Sequence, residues 1–140
     1  MSLREEESGI GRFLTDQGLT ASTLRRVRTG RNNRVWVIES SQGRRVLKQY
    51  RRSSADVRDR LAGEYRFLKL LNVYGIDRVP EPIAYDRDLE LALYSFLPGT
   101  PIGEVTGDHI HQAAEFVGQV NRLRAEPLAL AISAAAEACF

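Results

Sequence analysis

The chain has 140 residues, enough for one domain with a real core, and its 43% hydrophobic and 27% charged content excludes a disordered protein. A net charge of +2 is too small to argue for nucleic acid by itself, and no apolar run approaches the roughly 18 residues that span a bilayer. The polar, acidic start MSLREEESG lacks a signal-peptide core, the single Cys139 excludes an internal disulfide, and no metal-ligand spacing is present. A cytoplasmic setting without membrane contact is expected.

In chain order, residues 1–8 read as a frayed tail and 9–20 as a short helix with Gly18 at its end. Leu24–Arg28 and Arg34–Glu39 are β-rich runs on either side of the turn formers Gly30-Arg31-Asn32-Asn33. Ser40–Gly43 makes a second turn, and Arg44–Tyr50 a third strand, which completes an antiparallel meander. From Ser54 to Tyr74 the period becomes helical: Val57, Leu61, Tyr65, Leu68 and Leu71 form one apolar stripe. Ser54 suits the N-cap and Gly75 the C′ position of that helix. Val79-Pro80-Glu81-Pro82 then enforces extended chain, and Ile83–Asp86 with Leu91–Phe96 predict a hairpin across Arg87-Asp88. After Leu97-Pro98-Gly99-Thr100-Pro101, a helix is expected over 108–124, with Asp108 as N-cap and Ile110, Ala113, Ala114, Val117, Val120 and Leu123 as its apolar positions. The alanine-rich stretch 129–138 has helical composition and stops on Cys139-Phe140 without a cap. A natural terminus and a helix cut in mid-course both fit, and the cut is the favoured expectation.

Eighteen of the twenty basic residues are arginine, which draws the eye to the two lysines, Lys48 and Lys69. By strand alternation Val46, Lys48 and Tyr50 share one face. An ammonium beside a valine is either solvent-facing or held for a purpose. Glu64 falls on the border of the helical stripe, between Leu61 and Leu68, where a carboxylate is costly unless it meets a cation. It could snorkel to water or pair with Arg60 one turn earlier. A Lys48–Glu64 pair explains both oddities with one interaction. An ammonium so fixed suits nucleotide α/β-phosphates, over which the turn Gly30–Asn33 would lie.

The ordered run TGRNNRVW, GRRVLKQY, RLAGEYRFLKLL, VPEPIAYD and ALYSFLPGTPI resembles the N-terminal lobe of the aminoglycoside phosphotransferase and choline kinase family, over about residues 20–124. The resemblance implies an α+β fold of protein-kinase type: a five-stranded antiparallel sheet with one packed helix, then the first helices of a truncated helical lobe. It divides the chain into a nucleotide-binding lobe (1–97), a linker (98–107) and the beginning of the second lobe (108–140). It implies that Lys48 contacts ATP phosphates, that Glu64 orients it, and that Gly30 and Asn33 belong to the nucleotide-covering loop. Val27, Val35 and Val46 match residues that sandwich the adenine, although they read equally well as plain core valines. Tyr94-Ser95-Phe96-Leu97 matches the hinge, where backbone groups of Ser95 and Leu97 would meet the adenine edge.

The family's HGDxxxxN-type catalytic loop and later metal-holding aspartate are not found in these residues, so no catalytic or metal residue is assigned. His109 and His111 read as surface or capping residues. The expectation is an ATP-binding portion that is inert alone. Mg2+ and the small-molecule acceptor would be held by a missing second lobe, and self-association could occur through the exposed lobe interface. Two other classes compete. One is a non-catalytic remnant or interaction module with the same fold. The other is a basic sheet binding single-stranded nucleic acid, through the meander arginines with Trp36 and Tyr50 as stacking faces; the near-neutral net charge argues against it.

Overall fold

The computed structural model describes residues 3–19, 23–27, 33–51 and 59–136. Five strands form a single antiparallel sheet: β1 (Thr23–Val27), β2 (Asn33–Ser40), β3 (Gly43–Tyr50), β4 (Pro82–Asp86) and β5 (Leu91–Ser95). Their spatial order is β1-β2-β3-β5-β4, so β5 returns to lie between β3 and β4. Four helices accompany it: α1 (Leu3–Asp16), α2 (Arg60–Val73), α3 (Gly107–Arg122) and α4 (Pro127–Ala136), with a 3-10 turn at Leu123–Ala125. This is the α+β architecture the sequence led us to expect, with its meander, helix and hairpin in the expected order.

Strand alternation sorts the core into two layers. Leu47, Leu91 and Leu93, with Ile38, face one way and bury Phe13 and Leu14 of α1 together with Leu19. Tyr50, Ala92 and Tyr94 face the other way and bury Leu61 of α2, flanked by Val46, Tyr65 and Leu68. Because β5 is covered on both faces, Leu91-Ala92-Leu93-Tyr94 is an unbroken buried run rather than an alternating one.

Helix boundaries show where the sequence expectation shifts. Residues 3–8 belong to α1 rather than to a tail: Arg4-Glu5-Glu6-Glu7 are good helix formers, and the helix continues through Gly9 despite that residue's poor propensity. The helix over 54–74 begins at Arg60, where the Asp59 carboxylate accepts from the Ala62 N–H at 2.9 Å. Ser54 and Val57 lie outside the described residues. Thr106, not Asp108, caps α3: its hydroxyl accepts from the His109 N–H, and His109 Nδ1 accepts from the Thr106 N–H at 3.1 Å. Asp108 sits in the first turn, where a negative charge suits the helix dipole.

Both C-terminal glycine signals hold. Leu19 N–H bonds the Leu14 carbonyl and Gly18 N–H that of Thr15, with Gly18 at φ 72°. Ile76 N–H bonds the Leu71 carbonyl and Gly75 N–H that of Asn72, with Gly75 at φ 75°. In each, the residue after the glycine packs its apolar side chain into the interior. Gly75→Ala would force a Cβ into left-handed backbone, and thermal or urea unfolding should show a loss of about 1 kcal/mol.

Leu70 is buried although it lies off the apolar stripe of α2. The helix packs on the sheet with one side and on α4 with another, so its apolar residues are not confined to one face.

Candidate functional site

Strand register decides which side chains share the α2 face of the sheet. Val27 lies opposite Val35, Val35 opposite Lys48, and Lys48 opposite Ala92; in the next row Val37 lies opposite Val46 and Val46 opposite Tyr94. Val27, Val35, Val46, Lys48 and Tyr94 therefore line one surface. Helix α2 crosses that surface and points Glu64 at Lys48. The Lys48 ammonium donates to Glu64 Oε1 at 2.8 Å and Oε2 at 2.5 Å. The side chains are 20% and 37% exposed, so solvent screens the pair and its worth to stability is small. Its effect is positional: a flexible four-carbon stem is held in one place. Below the ammonium lies the Tyr50 ring, with Nζ 4.8 Å from the ring centroid.

Tyr50 and Tyr94 are both buried, and their hydroxyls hydrogen-bond at 2.7 Å. Burial pushes the Tyr50 phenol well above its ordinary value, and the neighbouring Tyr94 and the Glu64 carboxylate push it the same way. Burial likewise raises Tyr94, although its bond to Tyr50 works in the opposite direction. Both groups are neutral in the folded protein at pH values where an unfolded tyrosine ionises. Their contribution is therefore complete below the ordinary phenol value near 10 and is lost as pH rises above it. Equilibrium unfolding from pH 8 to 11 should show stability falling on the alkaline side, with a shallower fall when both tyrosines are phenylalanine.

At the end of β5 the backbone is clamped. Ser95 N–H donates to the Glu81 carbonyl at 2.9 Å, and Glu81 N–H donates to Ser95 Oγ at 2.8 Å. Between Pro80 and Pro82, Glu81 has the one N–H of that run, and it is spent on this contact. The Ser95 N–H is thereby engaged within the protein. Leu97 follows beyond the strand and is exposed. Asn33 opens β2 opposite Tyr50, and its buried Oδ1 has no hydrogen-bond partner among the described residues. Gly30 lies outside the described residues.

A model of the phosphotransferase enzyme family matches residues 23–138. The chain belongs to that family. The matched span contains every site residue from Val27 to Leu97, whereas α1 precedes it. No curated protein matches the chain.

In this family member the Lys48–Glu64 pair is present as the two sequence oddities suggested, and the three valines share its surface. The sequence reading did not find the Tyr50–Tyr94 contact or the Glu81–Ser95 clamp. Tyr50 could have been suspected from its place on the Lys48 face; its partner lies across a strand whose position only topology reveals. The two stacking faces considered for nucleic acid are covered to different degrees. Tyr50 is buried, and Trp36 is half-buried against the α1-side core. The Arg44 guanidinium lies over the Phe96 ring, 4.2 Å from its centroid. A cleft of about 520 Å³ between α1 and the β4–β5 turn, lined by Arg12, Asp16, Asp86 and Asp88 among others, shares no residue with the Lys48 surface. Among the described residues, no group of three or more His, Cys, Asp or Glu side chains could hold a metal, and no helix is long and apolar enough to cross a membrane.

Proposed function

We propose that this phosphotransferase domain holds ATP on the α2-facing surface of its sheet and serves the transfer of the γ-phosphate to a small hydroxyl compound. The observation that carries the reading is the Lys48 ammonium fixed by both Glu64 oxygens, beside Val27, Val35 and Val46, in a chain of this family. Lys48 meets the α/β-phosphates, where a fixed positive charge counts most. The valines pack the adenine, with the Ser95 carbonyl and Leu97 N–H at its edge. Asn33, with the neighbouring Gly30 turn, covers the phosphates, and a ligand donor would satisfy its orphaned oxygen.

These residues bind and orient; none of them is a base for the acceptor hydroxyl. Mg2+, which this family's chemistry uses, would neutralise phosphate charge, and the described residues supply no ligand set for it. No acceptor or metal role is assigned to the residues of this surface. Calorimetric titration with a non-hydrolysable ATP analogue tests the reading: saturable binding, displaced by ADP, is expected. Binding of single-stranded RNA with steep salt dependence, and none of the analogue, would instead establish the nucleic-acid alternative.

A further inference from the structure

Two anchors hold the chain where it leaves β5, and the nucleotide reading gives no role to the second of them. Ser95 is tied to the β4 side: its N–H donates to the Glu81 carbonyl at 2.9 Å, and its Oγ accepts from the Glu81 N–H at 2.8 Å. Phe96 is tied to the β3 side, with the Arg44 guanidinium 4.2 Å from the centroid of its ring. Arg45 and Ser95 are the last partners of the β3–β5 ladder, so Arg44 and Phe96 meet one step beyond it, in the same register. By strand alternation Arg44 shares the face of Val46 and Lys48 and ends their row. From Leu97 to Asp108 every residue is exposed, which leaves Phe96 the last half-buried side chain before that stretch.

We propose that Arg44 is a positioning residue of the nucleotide site: its guanidinium, stacked on Phe96, fixes the backbone from Ser95 to Leu97 that meets the adenine edge. This rests on the ATP reading above and adds to it a residue that acts on the base and not on the phosphates. A carbonyl and an N–H two residues apart meet one flat base edge only when the residue between them is held. Phe96 is that residue, and among the described residues Arg44 is the cation over its ring. Backbone left loose there would have to be ordered by the ligand, at the expense of affinity. The guanidinium is exposed, so the contact belongs at the modest end of cation–π strength, which sets the size of the expected effect.

The test measures how ATP and inorganic tripolyphosphate displace a fluorescent ATP analogue from Arg44→Met, Phe96→Leu and the double variant, with Lys48→Ala alongside. Arg44→Met should weaken ATP about 2- to 5-fold, and tripolyphosphate, which has no base, by less than about 1.5-fold. The double variant should lose no more than the larger single loss, because one contact is cut in all three. Unchanged ATP affinity, an equal loss for tripolyphosphate, or independent losses in the double variant overturn the proposal. If Phe96→Leu does not fold, Arg44→Met decides by itself, since its side chain lies outside the core. A second readout needs no nucleotide: the backbone order parameters of Phe96 and Leu97, from NMR relaxation, should fall in Arg44→Met while that of Leu93 stays. Order parameters that do not change overturn the anchoring. Should Lys48→Ala bind ATP as well as the parent chain, the ATP reading fails, while the order parameters still decide whether Arg44 fixes this backbone.

Discussion

Lys48→Ala is expected to weaken binding of an ATP analogue about 10- to 100-fold, the loss of a charge-assisted contact to phosphate, while the fold persists. Three features make the loss specific. The ammonium is held by both Glu64 oxygens, so its position is set before a ligand arrives. Its backbone stays in the ladder with Val35 and Ala92, which an alanine at 48 leaves in place. And the Glu64 side chain left behind is 37% exposed, so water can solvate it and no deeply buried charge is stranded. Arginine should not restore full affinity, because its longer side chain and spread, planar charge cannot sit at the point where the compact ammonium meets both Glu64 oxygens. Titration calorimetry and circular dichroism on the same preparations check both halves. Undiminished affinity would remove Lys48 from the site; loss of the fold would make it a structural residue.

Leu47→Ala should destabilise the protein by about 3–5 kcal/mol, in the range for large-to-small changes in a closed core. Leu47 is 0% exposed on the middle strand of the sheet, in the cluster that α1 closes with Phe13 and Leu14. The ladder on both sides of β3 keeps the surroundings from collapsing into the space. Against a typical domain stability of about 5–15 kcal/mol, that is a large share. Urea denaturation measures it, with Val73→Ala as the contrast: Val73 is 62% exposed, and its truncation should cost within about 0.5 kcal/mol. Similar losses at the two positions would mean that the core does not lie where α1 meets the sheet.

The sequence was most legible where one residue type has one physical use. Gly18 and Gly75 ended their helices because only left-handed backbone completes those hydrogen bonds. Lys48 and Glu64 were found because a charge on an apolar face needs a partner, and each supplied the other's. Caps were less legible. Ser54, Asp59, Thr106 and Asp108 are all good caps, and which one starts the helix depends on where the preceding chain is held. The Tyr50–Tyr94 contact was hidden for a different reason. It spans 44 positions and exists because β5 enters between β3 and β4, a consequence of strand order that local pattern does not encode. Leu70 escaped because α4 covers a second side of α2.

That strand order also sets a folding sequence. β1-β2-β3 and β4-β5 are each built from neighbours in the chain and can form early, with little loop to close. The β3–β5 ladder has to wait until the chain through α2 has been closed. Val46 and Tyr94, Leu47 and Leu93, and Lys48 and Ala92 all meet across that one seam. The surface that carries Lys48 is thus completed in the step that joins the β1-β2-β3 meander to the β4-β5 hairpin, and a chain with both units formed but unjoined would have every strand and only part of that surface.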